Sequence, residues 1–153
     1  MKPIEWLLTG DPVIQVLTNR YLQDKQVVHR NKGYIDEYFK LYDLKKRMWG
    51  DGIYSPKWIS THYTLMELKY MEVDPMNQVY QEAVINLMDH MWFTKGLVNK
   101  NRHQDMCVVA MILGVACYGK IQDPRVFEMV DYILKHQFRD GGLNCEWERS
   151  PKP

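Results

Sequence analysis

The sequence predicts an all-α protein built from α-α hairpin repeats. Apolar residues recur at spacings of three and four along most of the 153 residues, which is the helical period, and no stretch alternates as a strand would. Glycine turns at Gly52, Gly96 and Gly142 lie 44 and 46 residues apart. Repeats of this length, with two helices and a glycine turn, are typical of helical arrays. We expect residues 1–153 to form a single helical-repeat domain.

Net charge, hydropathy and cysteine content indicate which partners and which cellular compartment suit the protein. Twenty Lys and Arg oppose 19 Asp and Glu, so no basic field indicates nucleic acid or an anionic membrane. The longest apolar run, Met106–Tyr118, is shorter than the ~20 residues that span a bilayer. The start, MKPIEWLLTGDP, does not resemble a signal peptide, and the chain has three cysteines. These observations predict a reduced, cytoplasmic protein.

Three helix starts are marked by the dipeptide Asp-Pro, at Asp11-Pro12, Asp74-Pro75 and Asp123-Pro124. Asp is a good N-cap, and Pro at the first helical position loses no needed hydrogen bond. An amphipathic run follows each dipeptide. We therefore predict three surface helices that begin at these prolines.

The partners of the surface helices are predicted at Asn31–Met48, at Trp58–Glu72 and at Met106–Tyr118. The third is apolar on every side, so we expect it to be buried on every side. Glycine turns at 50–53, 95–97 and 140–143 separate the units. Buried inner helices beside amphipathic outer helices fit either an open superhelix or a closed ring. The contrast between the wholly apolar helix Met106–Tyr118 and its amphipathic neighbours favours the ring.

One segment carries a family resemblance. The run VDYILKHQFRDGGL, in which Gln137 precedes the glycine pair, resembles the repeat of the squalene-cyclase and protein-prenyltransferase superfamily, the α/α toroids. Leu143 stands where cyclase repeats usually carry an aromatic residue, and Trp147 follows four residues later. The resemblance spans Met48 to Leu143 and implies about three hairpins, which is part of a ring. Such a part would self-associate or belong to a longer chain, because incomplete rings expose apolar flanks.

The same resemblance implies a zinc site. In prenyltransferase catalytic subunits an inner helix begins with Asp-x-Cys, and both residues bind zinc together with a later His. Asp105 and Cys107 match that motif, the family's His would lie beyond Pro153, and His62 is the available substitute. Carboxylate, thiolate and imidazole suit a catalytic zinc. Alternatively, Asp105 caps its helix, Cys107 is a small core residue, and His62 is a hydrogen-bonded turn residue. Cys117 is predicted to lie in the core.

Aromatic side chains cluster at predicted turns and helix ends, which in a toroid surround the mouth of the cavity. They would bind an apolar ligand such as an isoprenoid or, alternatively, brace the turns. Lys100 and Arg102, ahead of a helix start, would hold a phosphate or be solvated. The aromatic set consists of Trp49, Tyr54, Trp58, Tyr63, Trp92 and Phe93.

The predicted function is that of a prenyltransferase-like or terpenoid-cyclase-like toroid part that acts on or binds an isoprenoid or other apolar ligand. The acidic motifs DxDD and DDxxD, nucleotide-binding loops and the Gly-x-Ser-x-Gly elbow are absent from the sequence. The alternatives are a non-catalytic helical-repeat interaction module and a diverged toroid with an unrelated reaction, since fold alone does not fix chemistry.

Overall fold

The computed structural model describes residues 2–28, 31–92, 97–99 and 102–145. Seven α-helices and one short antiparallel pair of strands lie in these ranges, so the all-α prediction is confirmed, although the strand pair was not expected. The longest described helix has 14 residues, and none has the length and apolarity needed to cross a membrane. The elements are α1 (Pro3–Leu7), α2 (Pro12–Gln23), α3 (Tyr34–Lys40), α4 (Thr61–Tyr70), α5 (Gln78–Met91), β1 (Leu97–Asn99), β2 (Arg102–His103), α6 (Met106–Tyr118) and α7 (Pro124–Lys135).

Two of the three Asp-Pro starts are confirmed. Asp11 accepts a hydrogen bond from the Val13 amide at 2.8 Å, and Asp123 accepts one from the Arg125 amide at 2.9 Å. The carboxylates thereby satisfy backbone donors at the beginning of α2 and α7.

The start predicted at Pro75 is wrong, because α5 begins at Gln78. Asn77 is its N-cap and accepts from the Tyr80 amide at 3.0 Å. Asp74 instead accepts from the Met76 amide at 2.9 Å, which forms a turn rather than a helix cap.

The helices predicted at Asn31–Met48 and Trp58–Glu72 are shorter than expected, since α3 ends at Lys40 and α4 begins at Thr61. After α3, the Asp43 carboxylate accepts from the amides of Lys45 and Lys46 at 2.9 and 3.0 Å. This local hydrogen bonding favours a turn over a continued helix.

The core is built on two parallel helices, α4 and α6, that pack side by side. The Tyr118 hydroxyl donates to the Val73 carbonyl, 45 residues away, and the Lys69 amine lies 3.8 Å from where a Cβ on Gly114 would stand. Both pairs have the same sequence offset, so the two helices run in the same direction. The offset agrees with the repeat length expected from the glycine turns.

The helices α5 and α7 run antiparallel to α6. Gln81, early in α5, donates to the carbonyl of Gly119, just after α6, at 2.9 Å. Tyr132, late in α7, donates to the carbonyl of Gln104, just before α6, at 3.0 Å. The pairs α4–α5 and α6–α7 are thus successive α-α hairpins.

The expectation that α6 is buried on every side is wrong. Val109, Ile112 and Val115 are fully buried among α4, α5 and α7, but Cys107, Ala110 and Cys117 are exposed. No described element covers that side of the helix. Cys107 and Cys117 therefore do not lie in the core, because both are on the exposed side of α6.

Helix α2 is joined both to the segment after α4 and to the start of α3. Arg20 and Tyr21 of α2 both bind the Glu72 carboxylate, just after α4. Asp11 also accepts from the Tyr34 amide at 3.1 Å, at the first residue of α3. The packing order is therefore α1, α2, α3, α4 and then the two hairpins.

Candidate functional site

The first glycine turn positions the start of α4. The amide groups of Thr61 and His62 donate to the carbonyls of Gly52 and Ile53, at 3.1 and 2.9 Å. Gly50 has φ +61°, and a Cβ there would overlap the Ile59 carbonyl oxygen. The turn can therefore lie directly against the segment that leads into α4. It satisfies two of the helix's initial amide groups with backbone oxygens.

Four rings meet at this helix start, and we call them the aromatic cluster: Tyr54, Trp58, His62 and Tyr63. The ring centroid of Tyr54 lies 5.1 Å from that of His62 and 5.7 Å from that of Tyr63. Trp58 lies 5.2 Å from Tyr63 and is 77% exposed. Three of the six residues in the predicted aromatic set are thus brought together at the surface, with a histidine among them.

The His62 ring contacts the rings of Tyr54 and Tyr63, with centroids 5.1 and 5.0 Å away. Its side chain has no solvent exposure, and neither ring nitrogen has a hydrogen-bond partner among the described residues. Burial lowers the pKa of His62 to about 4, so the imidazole is neutral at physiological pH. The alternative interpretation as a hydrogen-bonded turn residue holds for its backbone amide only.

The tyrosines add neutral polar groups. The hydroxyls of Tyr54 and Tyr63 lie 3.5 Å apart. The hydrogen bond to Tyr63 and burial raise the pKa of Tyr54 to about 12, so the Tyr54 phenol stays protonated. The cluster therefore offers an aromatic surface with uncharged hydrogen-bonding groups, as binding sites for largely apolar molecules do.

Trp49 lies elsewhere, in the core. It is 2% exposed, its ring packs 4.6 Å from that of Tyr42, and its indole N–H donates to the Tyr38 carbonyl at 2.6 Å. Its amide also donates to the Thr61 hydroxyl at 3.0 Å. Trp49 therefore braces the glycine turn against α4.

Trp92 has a similar bracing position at the end of α5. It is 2% exposed, lies 5.3 Å from the Tyr132 ring and donates to the Glu128 carboxylate at 3.2 Å. These contacts join α5 to α7. Phe93, the remaining member of the predicted aromatic set, is outside the described residues.

The predicted zinc ligands are not assembled as a metal site. Among the residues whose side chains the structure describes, no three of His, Cys, Asp and Glu are grouped so that they could hold an ion. Asp105 precedes α6, Cys107 is in its first turn, and His62 is in the first turn of α4. The three residues lie at the same end of the core, and zinc binding by them stays a prediction.

The cap of α6 also differs from the alternative interpretation. Asp105 has the N-cap position but makes no capping hydrogen bond to the helix. Instead, the Cys107 amide donates to the sulfur of Cys145, 38 residues away, at 3.3 Å. Burial and the hydrogen bond to Cys145 raise the pKa of the Cys107 thiol. The local Asp-x-Cys pattern contains no signal for this distant partner.

The predicted anion site cannot be placed. Lys100 lies outside the described residues, as does the side chain of Arg102.

The opposite end of α6 carries a groove of about 520 Å³ that the sequence did not indicate. Cys117 lines it together with Ile121, Val126 and Phe127. The groove is continuous with the exposed side of α6, at the junction with α7. It is separate from the aromatic cluster, which lies near the other end of the helix.

Comparisons with protein-family models, with curated proteins and with solved structures give no match to this chain. Membership of the α/α-toroid superfamily therefore stays a prediction. The structure itself shows an all-α fold with two successive hairpins on parallel α4 and α6.

Proposed function

We propose that this protein is a helical-repeat binding module that takes an apolar ligand at the aromatic cluster. The observation that carries the proposal is the exposed Trp58 ring, 77% accessible, which packs on Tyr63. Tyr63 also contacts the buried His62, whose two ring nitrogens have no partner among the described residues. A large exposed aromatic ring is a preferred anchor for apolar ligands. A buried polar atom without a partner is costly, and a ligand that inserts between the Tyr54 and Tyr63 rings would bring a polar group to it.

The ligand class follows from the charge of the cluster. His62 is neutral and Tyr54 is protonated, so the cluster favours an uncharged molecule with an apolar chain and one hydrogen-bonding group. An isoprenoid alcohol has this composition. Binding without turnover fits better than prenyltransferase-like or cyclase-like catalysis, because the zinc set is not assembled and the acidic cyclase motifs are absent from the sequence. Three free thiols support a reducing, cytoplasmic setting for the module.

Calorimetric titration with farnesol, kept below its solubility limit, tests this proposal. We expect Trp58→Ala to weaken binding about tenfold or more. Truncation of an aromatic anchor that becomes buried on binding typically costs over ~1 kcal/mol. Trp6→Ala is the matched control, because Trp6 is also exposed, at 64%, but lies on α1. Absence of binding to the unmodified protein, or equal weakening by both variants, would contradict the proposal.

A second candidate function is self-association through the exposed side of the last hairpin. We define the open face as Ala110, Cys117, Phe127 and Leu134; Phe127 is 75% exposed and Leu134 62%. At the other end of the packing order, Trp6 and Tyr21 are exposed at 64% and 68%. A chain with apolar surface at both ends of its helix array suits head-to-tail pairing with a second copy.

A further inference from the structure

Two cysteines that are far apart in sequence meet at the beginning of α6. Cys145 lies ten residues beyond the end of α7, and its sulfur accepts the Cys107 amide at 3.3 Å. Both residues are exposed, and the neighbouring Cys145 side chain contributes to the raised pKa of the Cys107 thiol. The third cysteine, Cys117, is ten residues further along α6, about 15 Å away at the helical rise of 1.5 Å per residue. The structure thus separates one thiol pair from one single thiol.

We propose that Cys107 and Cys145 form a modification site, at which a low-molecular-weight disulfide such as glutathione disulfide oxidises them to an intramolecular disulfide. The 3.3 Å contact between the Cys107 amide nitrogen and the Cys145 sulfur brings the two side chains into the proximity that a disulfide requires. Exposure lets the small oxidant reach them. This inference is independent of the ligand proposed above.

The exchange proceeds in two displacements. The Cys145 thiolate attacks one sulfur of glutathione disulfide, the S–S bond breaks, and one glutathione leaves and takes a proton from solvent. Cys145 attacks first because its sulfur is exposed, whereas burial raises the pKa of the Cys107 thiol. Cys107 then releases its proton to solvent and attacks the Cys145 sulfur of the mixed disulfide, which expels the second glutathione. The two cysteines lose two electrons and two protons in total, and the oxidant becomes two molecules of glutathione.

The bond would close a loop around the last hairpin. It would join the segment that follows α7 to the first turn of α6, across 38 residues of sequence. A cross-link of this kind restricts the unfolded chain, so the oxidised protein should melt several degrees above the reduced protein.

Thiol titration and mass spectrometry of the folded protein, incubated with glutathione disulfide, test the proposal. We expect the number of reactive thiols to fall from three to one, with an intact mass two hydrogens lower and no bound glutathione. Peptide mapping should join Cys107 to Cys145. The same reaction in urea should be at least tenfold slower in its second displacement, because unfolding separates the two sulfurs.

Two variants complete the test. Cys117→Ser is the matched control and should form the disulfide as the unmodified protein does. Cys145→Ser should form none. A lasting glutathione adduct on the folded unmodified protein, a cross-link that involves Cys117, or equal rates with and without urea would overturn the proposal.

Discussion

At His62, a polar ring occupies a position that an apolar ring of similar shape could fill. The side chain is fully buried with both nitrogens unpaired among the described residues, whereas the adjacent Thr61 uses its hydroxyl twice, toward the amide and the carbonyl of Trp49. Two neighbouring buried polar residues therefore contribute differently to folding. Thr61 stabilises the turn, and His62 costs free energy unless a ligand satisfies it.

Replacement of each residue by an apolar isostere should separate these contributions. We expect His62→Phe to raise the free energy of unfolding by about 1 kcal/mol, since it removes the desolvation cost of two unpaired nitrogens. Thr61→Val should lower it by about 1–2 kcal/mol, because the buried Trp49 amide loses its acceptor. Urea denaturation of both variants measures the difference. An equal loss of stability in both would show that His62 is needed for the fold rather than for a ligand.

The pH dependence of stability gives an independent measure of the His62 environment. Its pKa falls from 6.5 to about 4 on folding, so the unfolded chain binds more protons between these values. Stability should therefore decrease as pH falls from 6.5 toward 4, by about 3 kcal/mol in total for this group. The stability gap between His62→Phe and the unmodified protein should widen over the same range. A gap that stays constant from pH 7 to pH 5 would contradict the assigned pKa.

Among the elements, the turn at Gly50 and helix α4 form one unit. The turn supplies carbonyls to the first amides of the helix and a tryptophan to the core beneath it. The aromatic cluster therefore depends on a backbone conformation that favours glycine, φ +61° at Gly50.

Alanine at two glycines should have opposite effects. Gly50→Ala should lower the free energy of unfolding by about 2 kcal/mol or more, because of the positive φ and the overlap with the Ile59 carbonyl. Gly114→Ala should raise it by up to ~1 kcal/mol, since Gly114 lies inside α6 and its added Cβ meets only the Lys69 amine at ordinary distance. Thermal and urea unfolding measure both changes. If Gly50→Ala is neutral, the turn does not determine the position of α4.

Sequence patterns predicted helix bounds well where local signals, such as a capping side chain or an apolar run, determine where the helix begins and ends. The starts of α2 and α7 and the bounds of α6 follow from Asp-Pro and from one apolar run. The start of α5 does not follow from its Asp-Pro dipeptide, because Asn77 takes the N-cap position instead of Asp74. At the candidate site, the glycine turn indicated where aromatic residues gather. No local pattern could show that Cys145, rather than Asp105, caps α6, since that contact depends on how the whole last hairpin folds back.

For the whole molecule, the sequence predicted an exposed apolar flank but not that α6 would contribute to it. An apolar run predicts burial, but it does not say whether the covering surface belongs to the same chain. Here α4, α5 and α7 cover most of α6 and leave Ala110 and Cys117 accessible, beside exposed Phe127 and Leu134. A closed ring within this chain is therefore not required by the packing, and a second copy is the covering surface that we propose.

Light scattering coupled to size exclusion tests that association. We expect the unmodified protein to show a mass above that of one chain, 18.3 kDa, at micromolar concentration. The double change Phe127→Glu and Leu134→Glu should return it to a single-chain mass, because charge at a desolvated apolar contact is costly. Leu44→Glu is the control, since Leu44 is 75% exposed but follows α3. A monomeric unmodified protein would exclude the self-association proposal.

The sequence offset of 45 residues between contacting positions near α4 and α6 has a consequence for how repeats could be added to such a chain. Two contacts near α4 and α6 are both displaced by 45 residues. A tandem duplication of a gene segment of that length would place each new helix against its predecessor in the geometry already in use. The added unit would carry its own complementary surface. Lengthening by whole units would then preserve every existing junction, whereas insertion of a partial unit would put the new helix out of register with its neighbour.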